Sequence, residues 1–469
     1  MGTASQEDRD HQHGAMEEQD LRKQLPEDTL ADVPRRLAPC DLAKCRCVSK
    51  TWHNIIDDHR LLLPYLLPHK VSGIFIKFHN KSSWELFSRP STGPIVSGWF
   101  NFLPDGAEEK SWPWPPELDH CNGLFLLDDY VCNPATRRWR CLPPRPPPLM
   151  AKEHFDDEAY LVFDPSLSLH YEVFLVPRIR STNNKLDPGV EKSEWPPSLF
   201  TMRVFSSGTG QWENRTYVRG GEAAGTVCST RFGVLYKHHA VYWKGELYAH
   251  SESDFVIRIS LSNGKFQVIK PPEGHKLSIS DGLYLGKSER GVYCAHVDDE
   301  DTLCRLSVWI LKEISGRSEW ILMHQSDIAP MLPYYDYCNQ NYGPWILQEI
   351  NCSARRKRYS NYYDNENDDE AVVQEKVEWD SDNDNGLQVE DDRGHDQLKY
   401  IDFLGFHPYK EIIFLTEVSR RGMAYHLNSS KIQLLGHTYP KGRVVGQFRP
   451  ICETFPYTPC WVDELPQIH

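Results

Sequence analysis

Cysteine is the residue type in this chain that most readily supports chemistry, and its spacing decides which chemistry is feasible. The 13 cysteines are an odd number, no two form a C-x-x-C pair, and only Cys40, Cys45 and Cys47 lie close together. A metal site needs ligands at compatible spacing and usually a second pair downstream, which these three lack. We therefore predict no metal site, and we interpret the cysteines as reduced, mostly buried apolar residues.

Other catalytic or ligating patterns are equally sparse. His238 and His239 form an isolated pair before a strand-like run, an arrangement more typical of structural histidines than of metal ligands. The sequence contains no G-x-S-x-G, no H-E-x-x-H and no glycine-rich phosphate-binding loop. We predict no catalytic residue and no cofactor.

The acidic charge of the chain is concentrated in one run. The formal net charge is -14, and residues 364–392 hold thirteen Asp or Glu and a single Lys, so the remainder is close to neutral. No basic stripe is available to neutralise phosphates, which argues against a nucleic-acid partner. No long apolar run indicates a membrane span or a signal peptide, so we expect a cytoplasmic or nuclear protein, or one found in both compartments.

The elements that must position any site change in character along the chain. Residues 1–23 are polar and lack periodicity, which predicts a disordered tail. Apolar residues then recur every three to five positions, which predicts a helical module over residues 24–66. Residues 71–465 consist of short apolar runs between turn residues, typical of strands. The acidic segment 355–398 predicts a solvated disordered insertion that opens with the basic residues RRKR.

The strand region repeats a theme of apolar strand, turn and large closing residue. Five copies close at Trp139, Trp212, Phe266, Trp320 and Leu434. A recurrent unit of four strands with one such hairpin is typical of a propeller blade, and six or seven blades fit the length. Another all-β fold is the alternative, because glycine-rich turns and aromatic residues occur in any of them.

Closure of such a ring predicts a contact between distant segments. The run 443–462 contains VVGQF and FPYTPCW and follows the last recognisable repeat. We expect it to pair with the early strand near Gly73 to Phe78 or with Trp99 to Phe102, because an open edge would invite aggregation.

The helical module resembles an F-box. It has an opening LPEDTL at residues 25–30, a central Arg36-Leu37 and a closing RCVSKTW at residues 46–52. The strand repeats and the terminal FPYTPCWVDEL resemble the F-box-associated, kelch-like propellers of plant F-box proteins. The resemblance implies a mostly β protein in which an all-α F-box docks on a Skp-type adaptor of a cullin-RING ubiquitin ligase, with the propeller binding a target protein.

The family motif assigns residues of the module to two roles. The resemblance implies adaptor contacts, or positions near them, at Leu25, Pro26, Asp28, Leu30, Leu42 and Val48. We assign Leu37, Trp52 and Ile56 to the core of the module, with a place in its interface as the alternative. The sequence departs from the family at Pro34, where an aliphatic residue is usual, so either a helix ends before Pro34 or the module is weakened.

Three functions fit these features. The first is a substrate receptor of an SCF-type ligase, which needs no active site. The second is a protein-interaction scaffold that recruits no ligase, and the third is a propeller enzyme with catalytic carboxylates or metal ligands on its loops. The target protein cannot be named from the sequence, because the composition of propeller loops is not a code.

Overall fold

The chain forms two compact units. The first contains Met1–Pro68 and Pro165–Ser168, and the second contains His69–Asp164 and Leu169–His469. The computed structural model describes residues 34–37, 41–42, 45, 48, 50–59, 61–78, 83–90, 96, 98, 100, 102–104, 118–150, 154–180, 187–231, 240–273, 283–298, 304–332, 343–348, 401–417, 421–438, 451–462 and 465.

The N-terminal segment of the first unit contains a helix and two short helical turns. A 3-10 turn spans Pro34–Arg36, helix α1 spans Lys50–Asp58, and a second 3-10 turn spans Leu63–Tyr65. In α1 the apolar residues Trp52, Ile55 and Ile56 are three and four positions apart, which places them on one side of the helix. The amide of His59 still donates to the Ile55 carbonyl at 3.1 Å, and the helical pattern ends there.

The second unit is built from short strands. In chain order they are β1 (Gly73–Phe78), β2 (Trp84–Ser88), β3 (Leu118–Cys121), β4 (Leu124–Leu127), β5 (Tyr130–Asn133), β6 (Arg138–Cys141), β7 (Phe155–Phe163), β8 (Tyr171–Ile179), β9 (Glu194–Trp195), β10 (Leu199–Ser206), β11 (Gln211–Gly220), β12 (Gly225–Thr226), β13 (Ala240–Trp243), β14 (Glu246–His250), β15 (Val256–Ser260), β16 (Lys265–Ile269), β17 (Tyr284–Ser288), β18 (Gly291–Asp298), β19 (Arg305–Ile314), β20 (Arg317–Asp327), β21 (Ile346–Leu347), β22 (Ile401–Phe406), β23 (Ile412–Glu417), β24 (Arg421–His426), β25 (Lys431–His437) and β26 (Ile451–Tyr457). Helices α2 (Pro188–Glu191) and α3 (Val227–Thr230) and the 3-10 turns Glu252–Asp254 and Ala329–Met331 lie between strands.

Apart from the small β9–β12 pair, the described strands form six antiparallel groups of four. From the inside outward these blades are β26-β1-β2-β21, β3-β4-β5-β6, β7-β8-β10-β11, β13-β14-β15-β16, β17-β18-β19-β20 and β22-β23-β24-β25. Blades three and four join into one eight-stranded sheet, because their outer strands β11 and β16 pair in parallel at Val218 and Lys265. The mostly β fold class and the propeller architecture are thus confirmed, and the described strands form six blades.

The predicted repeats correspond to the outer halves of the blades. Their closing residues Trp139, Trp212, Phe266, Trp320 and Leu434 lie on β6, β11, β16, β20 and β25, the outer strand of five successive blades. The remaining blade has no such copy because its strands come from both ends of the β region. Its outer strand β21 is two residues long and pairs with β2 at Phe87 and Ser88.

The inner strands form a ring around a central channel. Each contacts the next in the order β3, β7, β13, β17, β22 and β26. The ring is completed between β26 and β3, where the rings of Phe455 and His120 stack with centroids 3.9 Å apart.

The ring closes through the predicted pairing of distant segments. Strand β26 pairs antiparallel with β1, and Gly73 lies opposite Tyr457. Of the two early segments expected to receive the C-terminal strand, residues 73–78 are therefore the partner.

Apolar residues pack mainly between neighbouring blades. One cluster joins blades one and two and includes Phe75, Trp84, Phe125, Phe455 and Tyr457. Similar clusters lie between blades four and five, five and six, and six and one. Because each blade buries its face against a neighbour, no blade is a stable unit by itself. Within the described part of the chain, no helix is long and apolar enough to cross a membrane.

Candidate functional site

The helical module buries some of its predicted site residues and exposes others. Leu42 and Ile56 are each 1% exposed, so both side chains pack inside the protein. Val48 is 77% exposed, which is the highest exposure among the large apolar residues described. Leu37 and Trp52 are partly buried. A large apolar side chain in water favours a partner, so Val48 is the described residue best placed to contact one.

Four of the predicted adaptor contacts lie outside the described residues, namely Leu25, Pro26, Asp28 and Leu30. The predicted acidic insertion 355–398 lies outside them as well. The adaptor-contact roles of all six predicted residues, including buried Leu42, stay predictions.

Pro34 is accommodated at the start of a short turn. It is buried and is the first residue of the 3-10 turn Pro34–Arg36, and its carbonyl accepts from the Leu37 amide at 3.0 Å. Proline suits the first position of a helical turn, because the amide there needs no partner within the turn. Pro34 therefore removes no backbone hydrogen bond from this turn.

A second candidate site lies in the propeller channel. A cavity of about 90 Å³ is enclosed by inner strands β3, β13, β17 and β26 and by residues at and after the end of β22. A site built from the inner strands of five blades exists only when the ring is closed. The walls combine polar residues with aromatic ones, and the aromatic residues include Phe125, Tyr242, Tyr284, Phe406, Tyr409 and Phe455.

Lys287 of β17 is one of the residues that line this cavity. Its Nζ donates to Asn122 Oδ1 at 2.9 Å and to the Tyr242 carbonyl oxygen at 3.3 Å. Asn122 follows β3 and Tyr242 lies on β13, so one side chain ties together the inner strands of three blades. Loss of hydration lowers the pKa of Lys287, because the ammonium is surrounded by protein rather than water.

Two titratable residues of β3, Asp119 and His120, line the same cavity. Burial raises the pKa of Asp119 to about 7, although the Leu161 amide donates to its Oδ2 at 2.5 Å. Burial, with a smaller contribution from the charge of Lys287, lowers the pKa of His120 to about 3. His120 is thus uncharged at neutral pH, and burial favours the protonated form of Asp119.

The cysteines follow the interpretation made from sequence. Those in the described part of the chain are free, and five of the nine are buried: Cys121, Cys132, Cys294, Cys304 and Cys460. Burial raises the pKa of the Cys121 thiol to about 12, and its Sγ donates to the Phe163 carbonyl at 3.3 Å. Such a thiol is protonated and unreactive at neutral pH. Among the described residues, no group of His, Cys, Asp and Glu is arranged to hold a metal ion.

Sequence reasoning missed the channel residues. Lys287 lies in the run YLGKS, where a lysine at the end of an apolar strand is normally interpreted as solvent-exposed. The only available signal was a charged residue in a strand bounded by turn residues. Its neighbours Asn122 and Tyr242 are 165 and 45 positions away.

Comparison with known proteins agrees with the features of the helical module. The family model of the F-box domain matches residues 23–64. The chain is 21% identical over 320 residues to At1g30920, named as an F-box protein of Arabidopsis thaliana, covering 63% of this chain and 72% of the relative. It is 27% identical over 132 residues to At3g16210, also named as an F-box protein of that plant, covering 26% of this chain and 34% of the relative.

The chain therefore carries an F-box domain followed by a β-rich region, as is consistent with a plant F-box protein. The kelch-like character of the propeller repeats stays a prediction.

Proposed function

We propose that this protein is the substrate-recognition subunit of an SCF-type ubiquitin ligase. Its F-box would dock on a Skp-type adaptor, and its propeller would bind the protein to be ubiquitinated. The observation that carries the proposal is the F-box domain over residues 23–64. Within this proposal the subunit is non-catalytic and acts in the cytoplasm, the nucleus or both.

The exposure of Val48 supports a docking role for the module. A module of about forty residues cannot bury all its apolar side chains internally. Val48 is 77% exposed, whereas Leu42 and Ile56 in the same unit are each 1% exposed. The module thus has its own core and also an apolar side chain in water, which a partner would cover.

The propeller supports the receptor half of the proposal. A closed ring of blades is a rigid platform, and its connecting loops can vary without disturbing the blades. The F-box and the propeller therefore offer separate surfaces for the adaptor and for the target protein.

Capture of the purified full chain by an immobilised Skp-type adaptor tests the proposal. Val48→Asp should weaken capture about 30-fold or more, because placing a charge at a central apolar contact costs roughly 2 kcal/mol or more. The double variant Leu25→Ala with Pro26→Ala should have a similar effect. Deletion of residues 25–60 should abolish capture.

Val218→Asp is the matched control, because Val218 is 51% exposed on β11 of the propeller. It should be captured as well as the unaltered chain. Absence of capture of the unaltered chain would contradict the ligase role and favour the scaffold function. Equal loss of capture with Val48→Asp and Val218→Asp would contradict the assignment of the docking residue.

A further inference from the structure

Lys287 lines the channel cavity, and both hydrogen-bond acceptors of its ammonium are uncharged. Its acceptors are an amide oxygen of Asn122 and a backbone carbonyl of Tyr242. An ammonium has three N–H donors, so these two bonds leave one donor available. A cation removed from water is costly unless an anion compensates it, which favours an anion at the remaining donor.

The nearby acidic groups compensate this charge only in part. Asp164 is close enough to favour the charged lysine, but it also accepts from the Tyr242 hydroxyl at 3.5 Å. Asp119 lines the cavity and has a pKa of about 7, because burial disfavours its charged form. Glu453 lines the cavity from β26, and its charge adds to the effect of burial in raising the pKa of Tyr284, which indicates that the charge acts on that side of the channel.

One part of the cavity wall is aromatic and can pack against a flat ring. Tyr242, Tyr284, Phe406 and Phe455 are each less than 10% exposed and contribute aromatic surface from four inner strands. A water molecule needs roughly 10–15 Å³ of such space. The volume of about 90 Å³ therefore accommodates a small organic molecule rather than one or two waters.

We propose that the propeller channel binds a small aromatic carboxylate, with its carboxylate on Lys287 Nζ and its ring between the aromatic side chains of the inner strands. The carboxylate supplies the charge that the amide and carbonyl acceptors lack, and the ring occupies apolar space that water fills poorly. The residues that line this site lie outside the F-box segment 23–64.

Titration calorimetry of the full chain with benzoate tests this proposal. A molecule of this size should bind with a dissociation constant on the order of 1 mM, as is typical of small ligands. Benzyl alcohol has a similar ring and no charge, so it should bind about tenfold or more weakly. Equal binding of both compounds, or of neither, would overturn the proposal.

Two variants assign the site. Lys287→Met should weaken benzoate binding about 10- to 100-fold, because it removes a charge-assisted hydrogen bond. Ala240→Leu keeps Lys287 and places a larger side chain on the cavity wall, so it should abolish benzoate binding. This variant tests the site independently if Lys287→Met fails to fold.

Lys270→Met is the matched control, because Lys270 pairs with Glu222 at 3.2 Å on the exposed surface, away from the cavity. It should bind benzoate like the unaltered chain. Unchanged binding by Ala240→Leu would place the ligand elsewhere and overturn the proposal.

Discussion

Replacement of Phe455 by alanine should destabilise the propeller at its point of closure. Phe455 lies on β26, the inner strand of blade one, and is 2% exposed. Its ring contacts blade one through Phe75 and Trp84, with centroid distances of 5.5 Å and 5.4 Å. It contacts blade two through His120 and Phe125, at 3.9 Å and 5.1 Å. The side chain therefore holds together the two blades between which the chain closes its ring.

The expected loss follows from burial and cavity formation. A buried phenylalanine removes roughly 150–200 Å² of surface from water, which at about 25 cal/mol per Å² is worth ~4 kcal/mol. Measured substitutions of buried phenylalanine by alanine cost about 3–5 kcal/mol, because a cavity remains. We expect Phe455→Ala to lower the free energy of unfolding by about 4 kcal/mol.

Urea unfolding followed by tryptophan fluorescence measures this loss. Trp461→Ala is the matched control, because Trp461 follows the same strand and is 46% exposed. The control should lose less than about 1 kcal/mol, as is usual for surface positions. If Phe455→Ala loses no more than Trp461→Ala, then β26 does not hold the ring closed and the reasoning is refuted.

Three further predictions concern closure, charge and the insertion. Truncation after Gly442 removes β26 and should make the propeller insoluble or protease-sensitive in limited proteolysis, and a resistant, cooperatively melting fragment would count against a closed ring. Asp119 has a pKa of about 7 in the folded protein, which is above its unfolded value. The folded state therefore holds the proton more tightly, and the stability that this provides is fully present below about pH 4 and is lost as the pH rises through 7. Asp119→Asn can still accept from the Leu161 amide. Between about pH 5 and pH 8 the urea midpoint of this variant should therefore rise relative to that of the unaltered chain, and a constant difference would contradict the raised pKa. Replacement of residues 355–398 by a short Gly-Ser bridge should shift the melting temperature by only a few degrees, because loop-closure entropy changes slowly with length, and a collapsed fold would show that the insertion packs.

The sequence by itself predicts the elements whose cause is local. Alternation of apolar and turn residues predicts strands, and the closing residues Trp139, Trp212, Phe266, Trp320 and Leu434 lie on the outer strands of five blades. A hairpin is encoded by neighbouring residues, so its pattern survives in the sequence. The F-box is predictable for the same reason, because its motif lies within about forty consecutive residues.

The tertiary structure decides what depends on distant segments. Closure of the ring depends on the pairing of Gly73 with Tyr457, and no local pattern encodes a contact across that separation. The surroundings of Lys287 are set in the same way, because Asn122 and Tyr242 come from other blades. A lysine at a strand end is ordinarily hydrated, and only closure of the six inner strands into a ring surrounds this one with protein and lowers its pKa.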